Sequence, residues 1–363
     1  MLGALTVQPA TAAPAQPTQP ARPSDQPVSA LLKDLQTLYV KAETASETYN
    51  ATAEKLAKQR AKARKTGARL ARARAALADG RTRAGRLARQ QYRRGGTGLP
   101  PSVQLLLARD PQHALQNGHL LNRAAGDQAA TVDRLTSGEA RYSALAEKAR
   151  EELAERKKLA ARQKSQRDDV RARLGAVEEM LASLSGEQLE ELRGLESRQT
   201  ADAQRQLLSS GVLDGARAPS EAGDRALRYA VGQIGKPYVW GAEGPDSFDC
   251  SGLTSQAWQH AERAIPRTSQ EQWKRLDRVP LKELRPGDLV IYFPGATHVG
   301  IYAGDGKVIQ APRPGARVKV SPLASNPLLG AVRPDADAAP MAGYVPPELP
   351  AGATAGADTG NNV

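Results

Sequence analysis

Apolar and small residues recur every seven positions over the first quarter of the chain. The repeat runs through Leu35, Ala42, Tyr49, Leu56, Ala63, Leu70, Leu77 and Ala84, with a second row three residues further on. Seven-residue periodicity predicts a helix that winds around a partner with a left-handed supercoil. Because the seam is rich in alanine and polar in its middle, it would bury little area, and we expect a marginal coil.

A second helical region follows a stretch of glycines and prolines at 95–101, which breaks the first helix. We expect a helical stretch from Pro111 to about Ala125 and a long helix from about Gln128 to Leu208. Together they predict an all-α antiparallel coiled-coil hairpin over residues 28–210. The pattern fits a simple spacer and a regulatory or docking arm equally well.

The remaining segments differ in composition. Residues 1–27 begin with a short apolar run and small residues, which predicts a truncated secretion signal followed by a disordered leader. Residues 211–223 read as a linker and 335–363 as a disordered tail. Between them, 224–334 contains all three tryptophans and both phenylalanines of the chain. We therefore expect one globular domain there.

The net charge of +12 is concentrated in the first helix, where residues 28–95 hold 17 Lys or Arg against five Asp or Glu. A solvated basic helix face explains this pattern, and so does attraction to an anionic wall polymer or membrane surface. Only three tyrosines accompany these cations, so we do not expect nucleic-acid binding. No apolar run is long enough to predict a membrane-spanning helix.

Cys250 is the single cysteine of the chain, so it cannot form an internal disulfide. It also offers one ligand at most to a structural zinc, and we expect no metal. The residues Asp246-Ser247-Phe248-Asp249 are typical of helix N-caps and place Cys250 in the first turn of a helix. A helix N-terminus favours the thiolate, so the pattern predicts a lowered thiol pKa.

One of the four histidines is placed to serve such a thiol. His113 and His119 fall in the helical arm, and His260 lies ten residues beyond Cys250 on the same helix. His298 instead opens an alternating strand. A thiol nucleophile needs a base of this kind, but an inert buried thiol, or one in an intermolecular link, remains possible on these residues alone.

The strand after His298 suggests a third polar partner. If Gly304-Asp305-Gly306 forms the turn to the next strand, Gly300 pairs with Gln310. His298 and Gln310 then lie on one face as diagonal neighbours, and a register change of one residue would separate them. Gln310 would then fix the tautomer of the imidazole.

Five motifs occur in a fixed order: Tyr238-Val-Trp-Gly, Asp249-Cys-Ser-Gly-Leu253, Pro266-Arg-Thr-Ser269, Pro286-Gly-Asp-Leu289 and His298-Val-Gly-Ile-Tyr302. Over about residues 224–334 this set resembles the NlpC/p60 family of bacterial peptidoglycan endopeptidases. The resemblance implies a papain-like α+β domain, with a nucleophile helix packed on a small antiparallel sheet. The helical arm is similar, more weakly, to the N-terminal coiled coils of secreted members.

The resemblance also implies a role for each site residue. Cys250 matches the nucleophile, His298 the base and Gln310 the third polar residue, where many members have histidine. Tyr238 matches a tyrosine near the oxyanion site, whereas Asp249 and Ser251 match substrate-holding positions. The second glycine of the usual Trp-Gly-Gly is Ala242 here.

The implied function is that of a secreted, wall-associated hydrolase without a cofactor. It would cleave an amide bond of the peptidoglycan stem peptide, typically between D-γ-glutamate and a diamino acid. A non-catalytic wall-binding or docking protein and an acyltransferase on the same scaffold are the alternatives. The helical arm would dock a protein regulator, or cover the site and be displaced from it.

Overall fold

The computed structural model describes residues 27–95, 103, 111–215 and 217–354. Apart from Pro27 and Gly95, the leader expected at residues 1–27 and the break expected at 95–101 lie outside this part of the chain. Six α-helices are described: α1 (Val28–Gly95), α2 (Pro111–Ala182), α3 (Gly186–Ser209), α4 (Glu221–Val231), α5 (Cys250–His260) and α6 (Ser269–Arg275). Six strands follow: β1 (Asp277–Val279), β2 (Leu289–Tyr292), β3 (His298–Gly304), β4 (Lys307–Gln310), β5 (Lys319–Pro322) and β6 (Leu328–Arg333).

The chain forms two compact units that do not follow the expected boundary at residue 210. One unit joins the segment up to Glu47 with everything from Asp169 onward, and the second is Thr48–Asp168. Both ends of the predicted arm therefore belong with the globular domain. The reason is a cluster of apolar side chains that joins the start of α1 to the end of α2 and to α3: Leu31, Leu32, Leu35, Val177, Leu184 and Leu192.

The second unit is a pair of antiparallel helices. Thr66 donates a hydrogen bond to Glu152 across the pair (3.0 Å), and Arg81 pairs with Glu139 (2.8 Å). All eight residues of the seven-residue ladder are buried or half-buried along α1, as a packed seam requires, and the supercoil stays a prediction. Among the described helices, none combines the length and hydropathy that a membrane span requires.

The expected division of the second helical region was wrong. The chain stays helical from Pro111 through Gly126 to Ala182 and breaks at 183–185 instead. A single glycine weakens a long helix by only about 1 kcal/mol, too little to end it. Ser185 caps α3 in a reciprocal pair with Gln188, and this capping box sets the real break.

The strands form one antiparallel sheet in the order β1-β6-β2-β3-β4-β5. Alternate residues of β2 face opposite sides of it. Leu289 and Ile291 pack with α4 and α5, whereas Val290 and Tyr292 pack on the side that Leu207 of α3 covers. Because both faces are covered, all four residues of β2 are buried. Helices on a small antiparallel sheet confirm the predicted papain-like α+β class.

The expected linker and tail are more ordered than their composition suggested. Leu213 packs against the sheet, and α4 already begins at Glu221 within the predicted linker 211–223. In the predicted tail, Asp335 is buried and pairs with Arg285 (2.9 Å), and it also bonds to Ser220. A search for periodic apolar residues misses such segments because polar and backbone bonds hold them.

Candidate active site

Cys250 is the first residue of α5, as the cap-type residues before it predicted. Asp249 is the N-cap, and its Oδ1 accepts a hydrogen bond from the amide of Gly252 at 2.6 Å. Gly252 has to be glycine, since a Cβ there would lie 2.1 Å from the carbonyl oxygen of Ala242. The first turn of α5 therefore packs directly on the loop that precedes it, and this contact fixes the position of the thiol.

Arg267 ties this turn to the segment before α6. Its guanidinium binds both carboxylate oxygens of Asp249, with Nη2 2.8 Å from Oδ2, and its Nη1 donates to Ser251 Oγ at 2.8 Å. Nε donates to Glu243 at 2.7 Å. Asp249 is buried and also accepts a bond from the amide of Gly241. Its carboxylate thus organises the loop, the helix start and Arg267.

His298 and Gln310 meet as predicted, but the turn differs: Gly304 belongs to β3 and pairs with Lys307, with a register irregularity between Tyr302 and Gly304. Ile301 pairs with Ile309, which sets the register of β3 and β4. His298 Nε2 lies 2.5 Å from Gln310 Oε1, and both side chains are buried. Because an amide oxygen only accepts, the hydrogen of this bond is on Nε2, so in the neutral ring Nδ1 is the acceptor.

A glutamate from α1 occupies the space beside Cys250. Glu47 Oε1 accepts a hydrogen bond from Ser251 Oγ (2.7 Å), although the two residues are 204 positions apart. Its Oε2 accepts bonds from the backbone amide of Ser269 (2.7 Å) and from Ser269 Oγ (2.9 Å). Both carboxylate oxygens are therefore held by the globular domain.

A second glutamate of α1 lies on the histidine. Glu43 is one turn before Glu47, and its Oε1 is 3.0 Å from Nδ1 of His298. Both carboxylates are buried, at 5% and 1% exposure. The ring of His298 thus lies between Glu43 on one nitrogen and Gln310 on the other.

These contacts set the protonation states of the site. Burial, followed by the charge of Asp249, raises the pKa of Glu47 from its ordinary 4.5 to about 7. Burial lowers the pKa of His298, but the neighbouring Glu43 outweighs it, so the net shift is upward. An imidazole with a raised pKa beside a carboxylate favours the protonated form.

The expected lowering of the thiol pKa was wrong for this state of the molecule. Burial raises the pKa of Cys250 well above its ordinary value, and the charges of Glu47, Asp249 and Glu43 raise it further. The partial charge of a helix N-terminus is small beside these effects. Sequence could not anticipate them, because two of the three carboxylates arrive from α1.

The remaining predicted residues also gather here. Tyr238 is buried, and burial raises the pKa of its hydroxyl, as does its proximity to Cys250. Ser251 contacts Glu47 and Arg267, as described above. The other histidines lie elsewhere: His260 stacks on Tyr229 with ring centroids 4.1 Å apart, and His119 is exposed.

Sequence reasoning missed four residues of the site: Glu43, Glu47, Arg267 and Ser269. Arg267 and Ser269 lie in the Pro266-Arg-Thr-Ser269 motif, but their partners could not be read from it. Glu43 and Glu47 are two of only five acidic residues in α1. Like charges one turn apart destabilise an isolated helix. This unfavourable pair was the feature of the sequence that could have indicated a partner for both glutamates.

The described residues contain no cluster of three or more His, Cys, Asp or Glu side chains arranged to hold a metal ion. The acids and bases of the site bond to each other and to backbone amides instead. The arrangement can provide a nucleophile, a base with a fixed tautomer and a pocket for a carboxylate.

Comparison with known proteins adds a family match and several relatives. Residues 235–331 match the model of the NlpC/P60 family. A probable endopeptidase of Corynebacterium glutamicum (strain R) is 45% identical over 108 residues, which is 28% of this chain and 51% of the relative. Murein DD-endopeptidase MepH of Escherichia coli K12 is 40% identical over 109 residues, 28% of this chain and 40% of that protein.

A crystal structure of the NlpC/p60 domain of the peptidoglycan hydrolase SagA is 33% identical, covers 31% of this chain and 97% of the solved chain, and gives a TM-score of 0.29. The chain spans about half or less of the two curated relatives above. The matched range contains all five ordered motifs in full, together with Cys250, His298 and Gln310. Residues 235–331 of this chain therefore match the NlpC/P60 family.

Proposed function

We propose that the protein is a secreted, wall-associated cysteine endopeptidase that hydrolyses an amide bond of the peptidoglycan stem peptide. The observation that carries this proposal is the bond between His298 Nε2 and Gln310 Oε1 in a domain whose nucleophile candidate begins a helix. That bond leaves Nδ1 as the proton acceptor of the neutral ring. The relatives named above are described as endopeptidases, one of them acting on murein.

The proposed reaction follows thiol chemistry. His298 Nδ1 takes the proton of Cys250, and the thiolate attacks the scissile carbonyl carbon. Backbone N–H groups in the first turn of α5, with Tyr238 nearby, stabilise the oxyanion. The C–N bond breaks as His298 returns the proton to the leaving amine, and water then hydrolyses the thioester. Gln310 holds the tautomer throughout, but it carries no charge to stabilise an imidazolium.

The pocket that holds Glu47 supports a particular substrate. The backbone amide and hydroxyl of Ser269 and the hydroxyl of Ser251 converge on one carboxylate. A glutamate linked through its γ-carboxyl keeps its α-carboxylate free, and this group would fit the same donors. We therefore propose the bond between D-γ-glutamate and a diamino acid as the one cleaved.

The experiment is digestion of purified sacculi by the full chain, with mass analysis of the released peptides. Wild-type protein should yield fragments that end in a free γ-carboxyl, and Cys250→Ala should yield none. Binding of the wall without any cleavage would favour the non-catalytic alternative. Capture of the acyl group by an added amine in place of water would favour the acyltransferase.

A cation-lined groove in the second unit supports the proposal that the protein binds a negatively charged partner. A groove of about 1090 Å³ runs between α1 and α2 within residues 48–168, and it has an apolar floor that includes Leu77 and Leu135. Its rims carry six cations: Arg69, Arg72, Arg83, Arg134, Arg141 and Lys148. An anionic wall polymer, a membrane surface or an acidic protein regulator would each complement this charge. Salt-dependent co-sedimentation with cell walls, with anionic vesicles or with candidate regulators separates the three.

A further inference from the structure

Glu43 and Glu47 are unusual among the acidic residues of α1 because both are buried. Acidic side chains are almost never fully buried unless a specific partner compensates the lost hydration. Here the partners are the candidate catalytic and substrate-binding groups. They lie at least 204 positions further along the sequence than the two glutamates. The contact is therefore specific to the site.

Glu47 is held in the way a bound ligand is held. Three donors bond to its two oxygens, and one of them is a backbone amide, that of Ser269. The donors are the same groups that would receive the free carboxylate of the proposed substrate. A stem peptide and Glu47 cannot occupy them at the same time.

Glu43 blocks the other half of the chemistry. His298 Nδ1 is the nitrogen that would receive the thiol proton, since Nε2 is engaged by Gln310. The carboxylate of Glu43 lies 3.0 Å from Nδ1, and the raised pKa of His298 favours the protonated ring, in which Nδ1 cannot accept the thiol proton. Thus one helical turn occupies both the substrate pocket and the base.

The turn formed by residues 43–47 is docked by further contacts. Upstream of it, Leu31, Leu32 and Leu35 are buried against α2 and α3. Arg313 of the globular domain lies 4.6 Å over the ring of Tyr39 and pairs with Glu196 of α3 (2.8 Å). In α3, Gln204 bonds to the carbonyl of Gly306 and to the amide of Ala324. The start of α1 is thereby tied to the sheet.

We propose that α1 is an internal pseudosubstrate: Glu47 takes the place of a substrate carboxylate, Glu43 engages the base, and only the minor fraction of molecules in which residues 43–47 have left the site is active. This inference rests on the proposed function for the identity of the reaction. Closure of the site itself can be tested without substrate, because the chain contains one thiol.

The test is the rate at which iodoacetamide alkylates Cys250, followed by intact mass, in the full chain. Glu47→Lys removes the acceptor and places a cation next to Arg267, so the helix turn should leave the pocket. Asp34→Lys is the matched control, with the same change of charge at an exposed position of the same helix. We expect Cys250 in Glu47→Lys to be alkylated about tenfold faster or more than in wild type. This factor corresponds to a wild-type protein in which at least about nine molecules in ten are closed. Asp34→Lys should react at the wild-type rate.

A second variant guards against misfolding at the site. Leu35→Ala weakens the docking of α1 without touching the pocket, and it should accelerate alkylation in the same direction. Equal rates in wild type, Glu47→Lys and Leu35→Ala would overturn the proposal. Faster alkylation without any peptide release from sacculi would leave the closed site standing and remove the endopeptidase function.

Discussion

His298 and Gln310 lie on neighbouring antiparallel strands, with Nε2 of the ring 2.5 Å from the amide oxygen of the glutamine. The bond orients the imidazole and selects its tautomer, but unlike a carboxylate it contributes no charge. The third member of the candidate triad is therefore a positioning residue.

Replacing Gln310 should separate these roles. Gln310→Ala is expected to lower kcat by about 100-fold, within the range for loss of a positioned general base, while KM changes little. Gln310→His restores an acceptor at the same position and should recover most of the activity. Peptide release is measured in the Glu47→Lys background so that closure does not limit the rate. A full loss of activity in Gln310→His would contradict a positioning role.

The closed state should depend on pH. In the closed site Glu47 faces Asp249 and Cys250 of the helix start, Arg267 before α6, His298 on β3 and Glu43 on its own helix. Burial, then Asp249, raises the pKa of Glu47 from 4.5 to about 7, and the pKa of His298 is raised as well. Closure therefore takes up protons. The contribution of the Glu47 carboxyl group to the stability of the closed state is complete below pH 4.5 and is lost as pH rises through 7.

Alkylation across pH checks this sign. The rate ratio of Glu47→Lys to wild type should be largest near pH 5 and should shrink as pH rises above 7. Taking the ratio cancels the ordinary increase of thiolate with pH, since both chains have the same thiol. A ratio that grew with pH would show that closure releases protons, contrary to the environment of Glu47.

Arg267 should be essential for the stability of the domain. Its side chain is 10% exposed and Asp249 is 1% exposed, so Arg267→Gln leaves a buried carboxylate without its counter-charge. Breaking such a pair destabilises a protein by about 3 to 5 kcal/mol. The control is Arg173→Gln, whose partner Asp169 is one turn away on α2 and 49% exposed; it should shift the unfolding free energy by less than about 1 kcal/mol. Denaturant titrations that gave equal shifts would refute the distinction.

Gly252→Ala tests the packing under the nucleophile. The added methyl group would meet the carbonyl of Ala242, so the loop must move away from the first turn of α5. We expect a loss of at least about 3 kcal/mol, in the range of severe overpacking, together with loss of peptide release. Gly175→Ala in α2 is the counterpart, because its site has open space. It should stabilise the helix by about 0.5 to 1 kcal/mol. Similar thermal shifts of the same sign in both variants would argue against this packing.

Local patterns in the sequence were sufficient for the core of the site. Asp249 as a cap placed Cys250 at a helix start, and a tight turn after β3 placed Gln310 beside His298. Both are short-range consequences of cap and turn chemistry. The helix seam of α1 was also readable, because a seven-residue repeat is a property of one segment.

Long-range contacts could not be read in the same way. The docking of Glu47 on Ser269 joins residues 222 positions apart, and no periodicity reports which surface a helix turn will meet. The predicted direction of the Cys250 pKa shift was wrong for the same reason. The order of residues 335–354 escaped notice because Asp335 is held by Arg285 rather than by an apolar stripe.

Burial of the only thiol has a consequence for the chemical lifetime of the protein. Peroxides oxidise the thiolate, and they must reach the sulfur to do so. With Cys250 2% exposed and its pKa raised, the closed chain meets neither condition. The same two glutamates that would silence the enzyme also keep its nucleophile reduced until it is used.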